Sequence, residues 1–292
     1  MRITRNNGSF GARVEDVNLA HPLSDAAFAQ LLRALGENGV LCFPGQSLEP
    51  PELSAFGSRF GELEINVANA FHAAGHPEVM ILSNLTEAGR PIGLNDAGQG
   101  WHTDMSYSHD IALANVLHAK QVPVRDGRPL GDTQFRDMHA AYADLPAEMK
   151  ERLEGRVAIH DFGKFWDVMR ARPGSGRGPL TEEQRRRKPP VPQPIFRVHP
   201  VTGRRVLYCN PGYAVRIEGM GEAESDATLE YLFKHQSRAA YLHAHHWTPG
   251  DVLMWDNIAT THNAVADYRP DEPRLIHRVQ VMATLDYAAL AA

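Results

Sequence analysis

The sequence predicts a mainly β protein with flanking helices, its short strands packed as a sandwich or barrel that carries insertions. Three observations predict this class. Helix and strand alternate over the first eighty residues, short apolar runs recur between turns from Ala112 onward, and one long polar excursion at about 162–194 interrupts them. Ser24 before Asp25 to Leu35 reads as a capped amphipathic helix, apolar at Phe28, Leu31, Leu32 and Leu35 and closing toward Gly39. Val40 to Phe43 follows as a short buried strand, Glu52 to Phe60 as a second helix ended by Gly61, and Val79 to Leu82 as another strand. The later strands are expected at Ala112 to Ala119, Val206 to Asn210, Val252 to Trp255 and Arg278 to Met282.

The excursion holds Pro173 to Pro179, rich in Gly and Pro, then the basic run Arg185 to Lys188 and the pair Pro189 and Pro190. It is expected to be exposed and mobile, either a lid over a site or a plain surface loop. Its glycines form no phosphate cradle, since no Gly-Lys-Ser/Thr follows them. No internal repeat is present, and the 292 residues suit one domain, residues 1–292, carrying this insertion.

A formal net charge of −5 and a pI near 6.3 argue against nucleic acid as a partner, because phosphate-backbone binding needs a concentrated basic surface. No run of about 18 apolar residues is present to span a bilayer, and Met1 to Asn7 leads into no apolar signal core, so a soluble cytoplasmic protein without a membrane partner is expected. Cys42 and Cys209, far apart in sequence, suit a reducing compartment.

The chemistry concentrates at Trp101-His102-Thr103-Asp104. In an extended segment His102 and Asp104 project from one face and can share a metal ion. His262, just after Asp251 to Asn257, is a candidate third ligand. Two histidines and one carboxylate leave three positions open, the requirement of oxygen chemistry at Fe(II). The helical spacing His-Glu-x-x-His of zinc hydrolases is absent. Twelve residues beyond His262, alternation in Arg274-Leu275-Ile276-His277-Arg278 points Arg274 and Arg278 to one side. A buried arginine needs an anion, and the distal carboxylate of 2-oxoglutarate supplies one, with a hydroxyl from Thr133 beside it.

These residues resemble the taurine dioxygenase and 2,4-dichlorophenoxyacetate dioxygenase (TauD/TfdA) family of Fe(II)- and 2-oxoglutarate-dependent enzymes. The likeness runs through Gly39 to Gln46, Phe60 to Leu63, Trp101 to Asp104, Gly131 to Thr133, His199 to Arg204, Trp255 to Asn257 before His262, Ala266 to Tyr268, and Arg274 to Arg278. The resemblance implies a double-stranded β-helix, the cupin-like jelly roll, with His102, Asp104 and His262 on iron and Thr133 and Arg274 on 2-oxoglutarate. It places the arginine matching Arg278 near the substrate, where it can hold an anionic group. It further implies dioxygen as co-substrate, release of succinate and carbon dioxide, and hydroxylation of a small organic anion such as a sulfonate, aryloxyalkanoate, sulfate ester or carboxylic acid. Asp104 stands where halogenases of related type carry Gly or Ala, so hydroxylation is favoured over halogenation.

The pocket-lining region departs from the family's taurine pattern at Asn66, Asn69, Phe71 and Gly98, which disfavours taurine. Asn69, Tyr107 and Tyr213 are taken as candidate substrate contacts, together with Arg278. His72 and His76 read as surface or turn histidines, and His243, His245 and His246 as part of the loop entering the strand at Val252. Desaturation or cyclisation at the same iron, and a non-catalytic jelly-roll binding protein, are the alternatives. A homodimer or homotetramer is expected from the family alone.

Overall fold

The computed structural model describes residues 1–6, 10–66, 71–172 and 178–291. Its centre is an eight-stranded sheet whose neighbours run Arg2–Arg5, Ala12–Glu15, Val40–Phe43, Val252–Asp256, Ala112–Gln121, Leu275–Met282, His76–Ser83 and His72–Ala73. The longest pairing, Ala112–Gln121 against Leu275–Met282, is antiparallel and sits mid-sheet, where Ala112 to Ala119 are buried on both faces. That double burial explains why this strand reads as a continuous apolar run rather than an alternation.

One face of the large sheet is covered by the Asp25–Asn38 and Pro50–Ser58 helices. The first starts where the Ser24 hydroxyl accepts from the Ala27 amide at 3.2 Å, and it buries Phe28, Leu31, Leu32 and Leu35. It stops at Gly39, whose φ of 70° and whose position against the Phe10 ring, 2.3 Å from where a Cβ would stand, leave room for glycine alone. The second helix begins two residues before the expected Glu52, because Pro50 and Pro51 fill first-turn positions whose N–H groups have no helical partner. Burying these leucine- and phenylalanine-sized side chains, four in the first helix and Leu53 and Phe56 in the second, contributes roughly 1.5–3 kcal/mol each before chain entropy is charged against it.

Against the opposite face lies a three-stranded sheet, Leu242–His245, Thr133–Asp137 and Thr260–Ala264 in that order. Phe135 and Trp247 pack there onto Val40, Leu82, Leu117, Leu253, Trp255 and Ile276 of the large sheet, so the two sheets face one another around a second apolar core. His243 and His245 therefore belong to a strand and not to the expected loop. The run expected at Val206 to Asn210 pairs only over Arg205–Leu207. Asn210 instead closes a turn, accepting from the Tyr213 amide at 3.2 Å and donating to Ser106 Oγ at 2.9 Å.

The excursion at 162–194 leaves from the strand Val157–His160 and returns along Val191–Pro194, which pairs with it antiparallel from His160↔Val191 to Val157↔Pro194. Between these paired ends lie the helices Phe162–Arg170 and Glu182–Arg187. The described part of the insertion is thus helical between its paired ends, exposed over Glu182–Arg187, and packs Phe165 onto the His102 ring at 4.8 Å. Residues 173–177 of its Gly/Pro run lie outside the described residues. Among the described residues no helix is long and apolar enough to cross a membrane.

Candidate metal centre

His102 and His262 meet through an isolated antiparallel bridge in which each residue's amide donates to the other's carbonyl, at 3.1 and 2.9 Å. His262 sits mid-strand opposite Phe135, so one ligand rests on a strand of the small sheet and the other is fastened to it by backbone. After His102 the chain turns rather than continuing extended, with Met105 at φ 56°. Asp104 therefore reaches the shared point from a turn and not by strand alternation, which corrects the extended reading of the triplet. The turn is held by Asn257, whose amide nitrogen donates to the Asp104 carbonyl at 2.8 Å and whose oxygen accepts from the Asp104 amide at 3.2 Å. Gly212 lies so close on the other side that a Cβ there would stand 2.6 Å from the His102 Cβ.

The three donor sets converge. Asp104 Oδ1 is 3.4 Å from His102 Nε2, and Asp104 Oδ2 is 3.6 Å from His262 Nε2. One donor atom from each residue lies within 4.8 Å of the others. His102 Nδ1 is 2.7 Å from the Gly100 carbonyl, so Nδ1 carries the proton and Nε2 keeps its lone pair for an ion. Burial drives the His262 imidazole well below its usual pKa, which favours the neutral ligand form. Burial alone would raise the Asp104 carboxyl, but the Arg278 guanidinium and then the hydrogen bond with His102 hold it well below the ordinary carboxylate range. A neutral imidazole pair and an ionised carboxylate are the protonation states a divalent ion takes, and the residues present fit Fe(II).

A cleft opens on this triad and is lined further by Thr133, Arg274, Arg278, Leu117 and Trp255. Arg274 is 8% exposed, and among the described residues no carboxylate lies within ion-pair distance of its guanidinium. Tyr268 partners the guanidinium, its ring centroid 5.7 Å away, but a phenol does not balance the charge as an incoming anion would. Thr133 is oriented to help, because the Trp247 indole N–H donates to its Oγ1 at 3.0 Å. That bond fills an acceptor position of the hydroxyl and leaves its own proton free to donate.

Arg278 reaches the same cleft but is already engaged, donating to Asp104 Oδ2 at 2.7 Å and to Asn115 Oδ1 at 2.7 and 3.0 Å. Tyr107 and Tyr213 stand beside it, their rings 4.7 Å apart, and Phe165 lies 5.1 Å from Tyr213. Asn69 lies outside the described residues. His72 is exposed, and His76 pairs with Glu78 at 3.1 Å, as surface histidines do. Cys42, His245 and Asp251 also gather, but Asp251 Oδ2 closes the Thr248 turn at 2.9 Å.

Reasoning from the sequence missed Asn257, Asn115, Trp247, Gly212 and Phe165 as supports of the site. Asn257 had a signal, lying in the Trp255-Asp256-Asn257 motif; the others sit in segments whose composition marks nothing.

Comparison with known proteins agrees with this arrangement. A profile of the taurine catabolism dioxygenase TauD, TfdA family matches residues 3–280. The alpha-ketoglutarate-dependent 2,4-dichlorophenoxyacetate dioxygenase of Cupriavidus pinatubonensis is 33% identical over 263 residues, covering 87% of this chain and 88% of that protein. Pentalenolactone F synthase of Streptomyces avermitilis is 32% identical over 294 residues, covering 96% and 93% respectively. Among solved structures, AAD-2 in complex with Mn(II) and N-oxalylglycine superposes with a TM-score of 0.80 at 27% identity, covering 97% of this chain and 98% of that one. A taurine dioxygenase from Burkholderia xenovorans gives 0.77 at 28% identity, covering 97% and 90%. With the ligand geometry and these likenesses together, the chain belongs to the taurine catabolism dioxygenase TauD, TfdA family.

Proposed function

We propose that this enzyme is an Fe(II)- and 2-oxoglutarate-dependent dioxygenase that hydroxylates a small organic anion, using His102, Asp104 and His262 for the metal and Thr133 and Arg274 for the co-substrate. The observation that carries the reading is the single cleft that sets a two-histidine, one-carboxylate triad against a buried guanidinium without a carboxylate partner and a hydroxyl with a free proton. We read the eight-stranded and three-stranded sheets as the two faces of a double-stranded β-helix, with the cleft between them.

In balance, 2-oxoglutarate, dioxygen and a substrate C–H give succinate, carbon dioxide and a C–OH. Dioxygen is the four-electron oxidant, taking two electrons from 2-oxoglutarate and two from the substrate; iron, when bound, would couple these halves. The chain's own residues orient and exclude. Arg274 and Thr133 hold the distal carboxylate by charge-assisted hydrogen bonds. Phe165 and Trp255 pack their rings against His102 and His262 at 4.8 Å each, keeping bulk water from the ligand side. Arg278 holds Asp104 ionised. Relatives named for 2,4-dichlorophenoxyacetate and (S)-phenoxypropionate support an anionic substrate, an aryloxyalkanoate first. Where such a carbon bears an ether oxygen, hydroxylation gives a hemiacetal that collapses with cleavage.

A second reading, desaturation or cyclisation at the same iron in a biosynthetic pathway, is supported by the likeness to pentalenolactone F synthase over 96% of the chain. Product analysis separates the two. The test of the common site is anaerobic loading with Fe(II) and 2-oxoglutarate, read by the weak visible charge-transfer absorption of the chelate. Absorption that is present in the wild type and lost in His262→Ala is the expected result. A folded, iron-loaded protein without it overturns the assignment and favours a jelly-roll binding protein instead.

A further inference from the structure

We propose that Cys42, His245 and Asp251 form a second metal site, separate from the iron triad, that takes a thiophilic divalent ion, Zn(II) by preference, and fastens the small sheet to the large one. The inference is independent of the dioxygenase reading, because none of the three residues lines the cleft on the triad.

The register of the large sheet brings two of the donors together. Cys42 lies opposite Leu253 in the antiparallel pair of Val40–Phe43 with Val252–Asp256. Asp251 stands two residues before Leu253, so alternation points it to the same face, diagonally beside Cys42. That face is turned to the small sheet, since Cys42 and Leu253 both pack in the second apolar core. His245 meets it from the small sheet, at the end of Leu242–His245 and opposite Thr133, its ring set edge-on against Trp247 at 4.8 Å. One donor atom from each of the three residues lies within 4.8 Å of the others.

Each donor lacks what a cation supplies. Asp251 is 4% exposed, and among the described residues no lysine or arginine lies within ion-pair distance of its carboxylate. His245 Nε2 stands 3.2 Å from Asp251 Oδ2, yet that nitrogen is buried and makes no hydrogen bond. A buried carboxylate and a buried ring nitrogen left in this way are costly. Arg13 is near enough to feel the Asp251 charge but is engaged by Glu15 at 3.0 Å. Burial, and then the Asp251 charge, push the Cys42 thiol up to about 12, so without a cation it stays protonated and is no nucleophile.

The Thr248 amide that donates to Asp251 Oδ2 at 2.9 Å does not fill the carboxylate, which offers about four lone-pair positions. A backbone N–H on a ligating carboxylate fixes its orientation, as outer partners of metal ligands do. Donor class separates the two sites. The triad offers nitrogen and oxygen alone, whereas a thiolate beside an imidazole and a carboxylate selects zinc. On binding, the ion displaces the thiol proton to solvent. Thiolate, carboxylate and Zn(II) then balance in charge, and one tetrahedral position is left for water.

The test is anaerobic titration of the chelator-stripped full chain with Co(II), read by absorption. A thiolate on Co(II) gives an intense near-ultraviolet charge-transfer band that the sulfur-free triad cannot give. Wild type is expected to show that band and to take up a second equivalent of Co(II) beyond the triad's, and Zn(II) to abolish the band by displacement. Cys42→Ser is expected to lose the band and that equivalent while keeping the weaker visible absorption of the triad, which reports an intact fold. His245→Ala is expected to weaken the band-forming ion at least tenfold, and His262→Ala to keep the band. In His262→Ala, saturating Zn(II) should raise the melting temperature by several degrees, a rise that Cys42→Ser in the same background removes. A folded wild type without the band overturns the proposal. So does a band that survives Cys42→Ser, which would assign the thiolate to Cys209, the other cysteine of the chain. A band that forms while the triad takes no Co(II) would sink the dioxygenase reading and leave this site standing.

Discussion

Trp247→Phe removes one hydrogen bond from the co-substrate side of the cleft, together with part of a fully buried ring. The indole N–H donates to Thr133 Oγ1 at 3.0 Å, with Trp247 1% and Thr133 3% exposed, so water replaces neither partner. A buried neutral bond of this kind contributes about 1 kcal/mol net. If its role is to turn the Thr133 proton toward the co-substrate carboxylate, losing it weakens 2-oxoglutarate about fivefold, since 1.4 kcal/mol corresponds to tenfold. Thr133→Val removes the hydroxyl itself and leaves the indole N–H buried without an acceptor, which costs stability by about 1–3 kcal/mol as well as affinity.

The double variant separates aiming from packing. With the hydroxyl gone there is nothing left for the indole to aim, so Trp247→Phe in the Thr133→Val background should change 2-oxoglutarate affinity by less than about twofold. It should also cost less stability in that background than in the wild type, because the orphaned donor disappears with it while the ring volume lost is the same in both. Anaerobic titration of the iron-loaded proteins with 2-oxoglutarate, beside thermal melts of the same four proteins, reads both quantities. An equal loss of affinity in the two backgrounds would refute the reasoning, and would mean that Trp247 acts by filling space.

Three further expectations follow from the same geometry. Gly212→Ala places a methyl 2.6 Å from the His102 Cβ, an overpacking of about 1–3 kcal/mol, and should weaken iron about tenfold or more in a metal titration while the fold survives by circular dichroism. Asn257→Ala strips the Asp104 and Ala112 carbonyls of their buried donor and should destabilise by about 3 kcal/mol, visible as a melting temperature lower by roughly 6–12 °C. His160 is fully buried, and burial pushes its pKa down to about 3 from 6.5. The unfolded chain therefore binds the proton first as pH falls: the stabilisation is complete above pH 6.5 and is lost as pH drops from there toward 3, on the order of 4 kcal/mol in all. His160→Phe, which keeps a flat ring parallel to Tyr208, should flatten that acid limb in urea melts at stepped pH; an unchanged limb would assign it to other groups.

What the sequence made legible follows a physical division. His102, Asp104, His262 and Arg274 were readable because each is a residue type that is costly to bury without a partner, placed next to strands that bury it. The first helix was readable because Ser24 and Gly39 mark its ends and four apolar residues keep its period. The helix over Phe162–Arg170 was not, because its contacts, Phe165 on His102 and Phe162 on Tyr107, are tertiary and leave no mark beyond a few aromatics in a polar segment. The strand Leu242–His245 escaped for a related reason. Among the described residues its one strand partner is Thr133–Asp137, more than a hundred residues earlier, and histidines at 243, 245 and 246 look like a loop.

The extended reading of Trp101 to Asp104 paired two residues that the structure does gather with His262, but by a wrong route, and the difference matters for how the site tolerates change. On a regular strand the spacing of His102 and Asp104 would be fixed by the pleat and robust to its surroundings. Here the two residues straddle the end of a single bridge, and Asp104 depends on the Asn257 side chain, the Thr103 hydroxyl on the Thr260 carbonyl at 3.0 Å, and the positive φ of Met105. The metal geometry is thus held by side-chain to backbone bonds across 153 residues of sequence rather than by local secondary structure. Variants at positions 103 and 257, which touch no ligand atom, should disturb iron binding more than variants on the strand that carries His262, whose backbone is paired on both sides.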